Sequence, residues 1–456
     1  MKKLLLTVSI LLSPGMFAVA QEGQPSLQSI YQQFAFTLYD KVMEESVDNN
    51  IFSPLSAQIA LSMAQNGAAG NTLAQMQEAL GTTGYTTEQV NDYNKNLAAE
   101  ITYRPPFDYD AASKEDRDAY DTSNPKCELS NGLWSQYGFP LYDSYRLLLE
   151  DQYQAATGEV DFGSQEGINE INQWVDEKTH HLIPSILDSP NPFITMLLAN
   201  ALYFKGSWTY AFDEMGTTKN DFRLTDGSSI EVDMMNQREV FSTATTDQFR
   251  TVTLPYGTGS FSMTIFLPFT DELPALTCDA WLAAMNTSSP KYVALHLPKF
   301  EIEGSYSLND ALQALGMTEA FAGNADFSLM SSVALSLDRI MQCAKIIVDE
   351  EGTEAAAVTF MDWSSGTGED PDVQVDFMVD HPFYFTIEHQ PTKTLLFMGR
   401  MCQSKGLAAS PDAIAAPKAT PQTSTPCIYD LSGRPLPAVP QRGIYIQDGK
   451  KHVAAH

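Results

Sequence analysis

Apolar residues recur at helical spacing early in the chain and at alternate positions later. Phe34, Leu38, Val42 and Met43 form one stripe, which predicts a helix over 26–47. Ser53-Pro54-Leu55-Ser56 opens a second helix through Ala60, Leu61 and Ala64, with a serine suited to cap it. Ile168, Ile171, Trp174 and Val175 mark a third over 166–181. From about residue 194 strands dominate. Phe261 to Leu267 alternates and then runs apolar, and 292–297, 383–387 and 394–398 read as further strands. Residues 103–126, rich in Asp, Tyr, Pro and Lys, read as an irregular surface insertion. Helices early and sheet late describe an α+β protein, not a βαβ repeat.

One segment joins two opposed designs. Asp349, Glu350, Glu351 and Gly352 form an acidic turn, with a glycine where positive φ costs little. Thr353, Ala355, Ala357 and Thr359 then share one face of a strand, with Glu354, Ala356 and Val358 on the other. A small, uncharged face suits a strand that must enter a packed sheet, where an unpaired charge costs several kcal/mol. The run holds no Pro, which would remove a ladder hydrogen bond. The competing reading is an Ala-rich helix.

The chain has 456 residues, enough for one large core or two modest ones. It carries 27 basic and 57 acidic residues, a net charge of −30. Such a surface repels nucleic acid and anionic membrane, and no Lys/Arg cluster exists to bind a polyanion cofactor. Residues 1–20 read as a secretory signal: Lys2 and Lys3, an apolar run from Leu4 to Leu12, and Ala18-Val19-Ala20 before Gln21. Its removal takes two lysines and leaves −32. Extracellular localisation follows as the expectation, at the cell surface or in the periplasm if the protein is retained. Five scattered cysteines, Cys127, Cys278, Cys343, Cys402 and Cys427, show no metal or redox spacing and read as mostly free or buried thiols.

Residues 21–403 read as one domain. An Ala/Pro/Ser/Thr-rich linker over 404–426 follows, and then a short module over 427–456 with two strand-like pieces that fit a hairpin. That module resembles the terminal sorting tails some bacteria use for type IX secretion. The chain lacks H-E-x-x-H, G-x-S-x-G and G-x-G-x-x-G, and none of its seven His has a partner at catalytic or metal-ligand spacing. No enzyme, metal or cofactor is expected.

Separated motifs agree in order: Asn50-Ile51-Phe52-Ser53-Pro54-Leu55-Ser56, 67–72, 76–81, 171–179, Asn200-Ala201-Leu202-Tyr203-Phe204-Lys205-Gly206-Ser207-Trp208, Leu297-Pro298-Lys299-Phe300, 315–317, 381–385 and 396–400. Over roughly 26–403 the chain resembles the serpin family. The resemblance implies about nine helices, three β-sheets and an exposed reactive loop over about 350–377. It makes Glu350 to Thr359 the hinge, including Ala356 and Val358. Ser53, Ser56 and Asn200 match the shutter under the main sheet, and Trp208 the breach where the loop enters. Serpins commonly carry His at the position of Gln342; Gln can donate and accept but cannot titrate.

The implied mechanism is a trap in a covalent complex with a target protease, formed by a monomer. The protease acylates on the loop, and the freed hinge inserts into the sheet. Family spacing puts the scissile bond at Gly366-Thr367, with Ser364 and Ser365 as neighbours if the register slips. No Lys or Arg lies between Lys345 and Lys393, which disfavours trypsin-like targets. Small residues suit an elastase-like pocket. A papain-like cysteine protease, a chymotrypsin-like enzyme meeting Phe360, Met361 or Trp363, a non-inhibitory serpin and a surface adhesin remain as alternatives.

Overall fold

The computed structural model describes residues 24–44, 48–337, 340–353 and 373–407, and four short strands between 428 and 454. The chain divides into two units, Met1–Ser410 and Pro411–His456.

The larger unit holds nine α-helices among the described residues. Its helix starts follow local chemistry. Ser26, Ser53 and Ser164 each accept a hydrogen bond from a first-turn N–H, and Pro54 occupies the first turn of Pro54–Gln65. The first helix is Leu27–Met43, which stops short of the expected end. The helix Gln165–Lys178 also ends early, because His180 and His181 take left-handed backbone angles of φ 51° and 69°.

The insertion at 103–126 is not irregular throughout. It contains the helix Lys114–Ser123, capped by the Ser113 side chain. Phe107 stacks on Tyr120 at 4.2 Å, and Arg104 lies over Tyr120 while pairing with Asp121 at 2.6 Å. This helix buries only Thr122, so it has no apolar stripe to betray it.

A six-stranded main sheet runs in the order Phe300–Ser307, Met341–Val348, Gly352–Thr353, Met196–Ser207, Lys126–Gln136, Ala156–Val160. Both of its faces are covered. Ile168 and Ile171 of the helix Gln165–Lys178 pack on Trp134, Leu197 and Ala199 from one side. Leu198, Leu202 and Phe204 turn to the large core on the other. The second sheet has nine strands. Within it the long strand Ser229–Thr245 pairs with Ser289–Pro298 over most of its length and with Phe249–Tyr256 at its end. Two of the three expected sheets are thereby continuous. Cys127 and Cys278 are free, buried thiols, and burial pushes Cys278 up to about 11.

The smaller unit holds a four-stranded antiparallel sheet, Pro435–Leu436, Ile428–Tyr429, Gly443–Gln447 and Lys450–Ala454, where the sequence predicts a single hairpin. Ile428–Tyr429 pairs antiparallel with Gly443–Gln447, and Gly443–Gln447 pairs in turn with Lys450–Ala454. Pro435–Leu436, which adds an edge beside Ile428–Tyr429, is only two residues long, too short to register as an alternating pattern.

Candidate functional site

The strand Met341–Val348 ends in a tight reversal built by Asp349. Its carboxylate accepts from the N–H groups of Glu351 at 3.0 Å and Gly352 at 3.2 Å, and its own N–H donates to Gly352 O. The chain then re-enters the main sheet as Gly352–Thr353. Thr353 pairs with Val348 on one side and Gly206 on the other, and Gly352 pairs with Ser207. Gly352 is required here for space, because a Cβ would stand 2.1 Å from Gly206 O.

Thr353 is buried, and its hydroxyl lies 2.5 Å from that of Tyr256. Trp208 closes the same end. Its indole donates to Asp349 O and its backbone N–H to Glu351 O, both at 2.9 Å, and its ring stacks on Tyr256 at 4.3 Å. Glu350 points the other way. It accepts from Lys299 Nζ at 2.6 Å and from the Thr217 hydroxyl at 2.7 Å.

Three consecutive acids thus meet different surroundings. Burial works to raise Glu350, but the bonds from Lys299 and Thr217 hold it below the usual carboxylate value. Asp349 is raised by burial against the pull of its two N–H donors. Burial also raises Glu351, with the charges of Asp349 and Glu214 adding to it.

Further along the same two flanking strands lie Asn200 and Gln342. Gln342 Nε2 donates to Ser53 O at 2.5 Å, and the Ser56 hydroxyl donates to Asn200 O at 3.5 Å. Ser53 also caps its helix, so one residue ties the helix start to the sheet. Asn200 Nδ2 donates to Asn131 at 2.6 Å, and Asn131 passes the chain of bonds to Tyr153 O. Asn200 Oδ1 and Gln342 Oε1 are buried and have no partner among the described residues.

The structure therefore gathers Glu350, Glu351, Gly352, Thr353 and Trp208 at one end of the main sheet. It gathers Ser53, Ser56, Asn200 and Gln342 under its middle. Residues 354–359 of the hinge, Ser364, Ser365 and the bond Gly366-Thr367 lie outside the described residues, as do residues 1–20. The chain rejoins the framework at Val375–Met378, parallel to Ser289–Pro298, and Arg223 then holds Asp380 at 3.0 Å. Sequence reading missed Tyr256, Lys299, Thr217, Gly206 and Asn131 as site residues. Lys299 and Gly206 sat inside motifs already noted, but their partners are distant in the chain.

The model of the family described as Serpin (serine protease inhibitor) matches residues 29–404. The chain belongs to the serpin family. This serpin is 34% identical over 397 residues to leukocyte elastase inhibitor of Xenopus tropicalis, covering 82% of this chain and 98% of that protein. It is 32% identical over 365 residues to Iripin-3 of Ixodes ricinus, covering 78% and 88%. The native structure of the thermophilic serpin tengpin superposes with a TM-score of 0.72 at 26% identity, over 84% of this chain and 96% of that one. The family is one of protease inhibitors, not enzymes.

Proposed function

We propose that this serpin is a secreted suicide-substrate inhibitor of proteases. One observation carries the reading: Gly352 and Thr353 already occupy the position of a strand between Met341–Val348 and Met196–Ser207. Continuing that antiparallel register sets Ala355 opposite Phe204 and Ile346. It sets Ala357 opposite Leu202 and Ala344, and Thr359 opposite Asn200 and Gln342. Those partners all face the core beneath the sheet, so small, uncharged residues are what the site accepts. The arriving Thr359 hydroxyl supplies a donor beside two unpartnered acceptors, Asn200 Oδ1 and Gln342 Oε1.

The chemistry is acyl transfer. The protease nucleophile attacks the Gly366 carbonyl, an ester or thioester forms, and the amine of Thr367 leaves with the proton. The freed hinge then extends the strand begun by Thr353 and draws the acylated protease away before water attacks. The absence of Lys and Arg between Lys345 and Lys393 favours an elastase-like target, and the relative named leukocyte elastase inhibitor supports that choice. The same small residues suit a papain-like cysteine protease as the second reading. Residues 1–20 support export, and the C-terminal module supports a sorting role.

The test is incubation with elastase-like and papain-like proteases. The expected result is an SDS-stable complex with mass-mapped cleavage at Gly366-Thr367. Cleaved loop without any complex sinks the inhibitory reading. Complex with only the cysteine protease moves the assignment to the second.

A further inference from the structure

We propose that Tyr256 is a positioning residue for loop insertion: its hydroxyl seats Thr353 and so fixes the register in which the hinge enters the main sheet. The inference rests on the insertion reading above. Tyr256 ends the strand Phe249–Tyr256 of the nine-stranded sheet, so it meets the hinge from a different layer than the flanking strands. Its ring is fully buried between Trp208, stacked at 4.3 Å and 13°, and Phe204, edge-on at 5.1 Å. Gly206 makes room for it, because a Cβ there would stand 3.0 Å from Tyr256 Cδ1. Gly206 is also the residue that Thr353 pairs with. Ring, glycine and hydroxyl form one socket.

Thr353 satisfies that socket, and its near neighbours in sequence do not. The two hydroxyls lie 2.5 Å apart in a buried setting, and each serves as the other's partner. A slip of one residue would put Glu354 in the socket and turn Ala356 and Val358 inward in place of Ala355 and Ala357. A slip of two would bring Ala355, which has no hydroxyl. Seating Thr353 therefore aligns Thr359 with Asn200 and Gln342. It also places the first two residues of the inserted strand before cleavage, so insertion extends a strand that already exists. That matters because insertion competes with hydrolysis of the acyl-enzyme.

The test is a cycle of variants. Tyr256→Phe leaves the Thr353 hydroxyl buried and unpaired, and Thr353→Val does the same to Tyr256. Each shifts the hinge toward release by about tenfold. The double variant Tyr256→Phe/Thr353→Val replaces both hydroxyls with apolar groups and seats like the wild type. Amide hydrogen exchange at 352–353 in the uncleaved protein reads this directly: about tenfold faster in each single variant, restored in the double. The ratio of cleaved inhibitor to covalent complex follows the same pattern, with the acylation rate unchanged.

A Tyr256 that serves only as core packing would make the double variant at least as impaired as the worse single, and that result overturns the proposal. So does exchange that is unchanged in the singles. If Tyr256→Phe does not fold, the pair Thr353→Val and Thr353→Ser decides, since Ser retains the hydroxyl and should exchange like the wild type. The exchange measurement needs no protease. A wild type that forms no complex therefore counts against insertion, while the exchange pattern still judges Tyr256.

Discussion

Lys299 Nζ lies 2.6 Å from Glu350 Oε2, across the point where the hinge turns back into the main sheet. Glu350 is only 6% exposed, whereas Lys299 reaches partly into water. The pair clamps the turn from outside while Trp208 and Tyr256 clamp it from beneath. Breaking such a pair from the buried side costs more than an exposed ion pair is worth. Glu350→Lys would leave two ammonium groups facing each other at the mouth of the sheet. We expect a loss of about 3 kcal/mol in urea unfolding, with a gain in exchange at 349–353. Glu350→Gln, which keeps an acceptor for Thr217, should lose less. Equal losses for the two would mean that charge is not what holds the turn.

Gly352 tests the same end by shape alone. Its missing side chain lets the hinge lie against Gly206 O. Gly352→Ala forces the two backbones apart, which neither can absorb while Thr353 stays bonded to Tyr256. The expected outcome is a hinge released from the sheet, read as rapid exchange at Thr353 with the rest of the main sheet still protected. Protection at Thr353 as in the wild type would show that the sheet yields more easily than this geometry implies.

Patterning alone reveals the framework because most elements bury one face. The stripe Ile168, Ile171 lies on the main sheet, whereas Phe261–Pro268 is buried at every position and reads as strand through its apolar run. It fails where an element buries almost nothing, as in Lys114–Ser123. It fails again where a role depends on a partner far along the chain. Nothing around Lys299 announces Glu350, and nothing around Tyr256 announces Thr353. Each of these contacts joins two separate layers or strands, so only the fold assembles them. Ser53, Ser56, Asn200 and Gln342 were legible as residue types, yet the direction of their bonds was not. Gln342 only donates, and its acceptor oxygen is left without a described partner.

Glu388 gives the fold a pH dependence remote from the hinge. It is fully buried, accepting from Trp281 Nε1 at 2.7 Å, the Thr386 hydroxyl at 2.6 Å and Gln390 Nε2 at 3.2 Å. Burial raises it above the usual carboxylate value despite these three donors. A carboxyl that binds its proton more tightly when folded contributes stability at low pH and loses it as pH rises through the folded value. Glu388→Gln removes that loss, since an amide keeps the acceptor facing Trp281 and Thr386. The variant's melting temperature should therefore gain on the wild type's as pH is raised from about 5 to 8. A constant difference across that range would assign the role to packing instead.

Ala355 carries the sharpest consequence of the register. It would face the core opposite Phe204 and Ile346, where no described residue offers an anion. Ala355→Arg must either bury a guanidinium at a cost of several kcal/mol or stop the strand after Thr353. The loop remains open to the protease in both cases, so acylation proceeds and hydrolysis overtakes insertion. We expect conversion from inhibitor to substrate, with the moles of inhibitor consumed per protease rising at least about tenfold. Cleavage of the wild type should raise the melting temperature sharply as the added strand joins the sheet, and cleavage of Ala355→Arg should not. Glu354→Arg is the control, because in that proposed register the inserted side chain would face outward, and the variant should leave inhibition intact. If the two arginine variants behave alike, the hinge does not enter in this register.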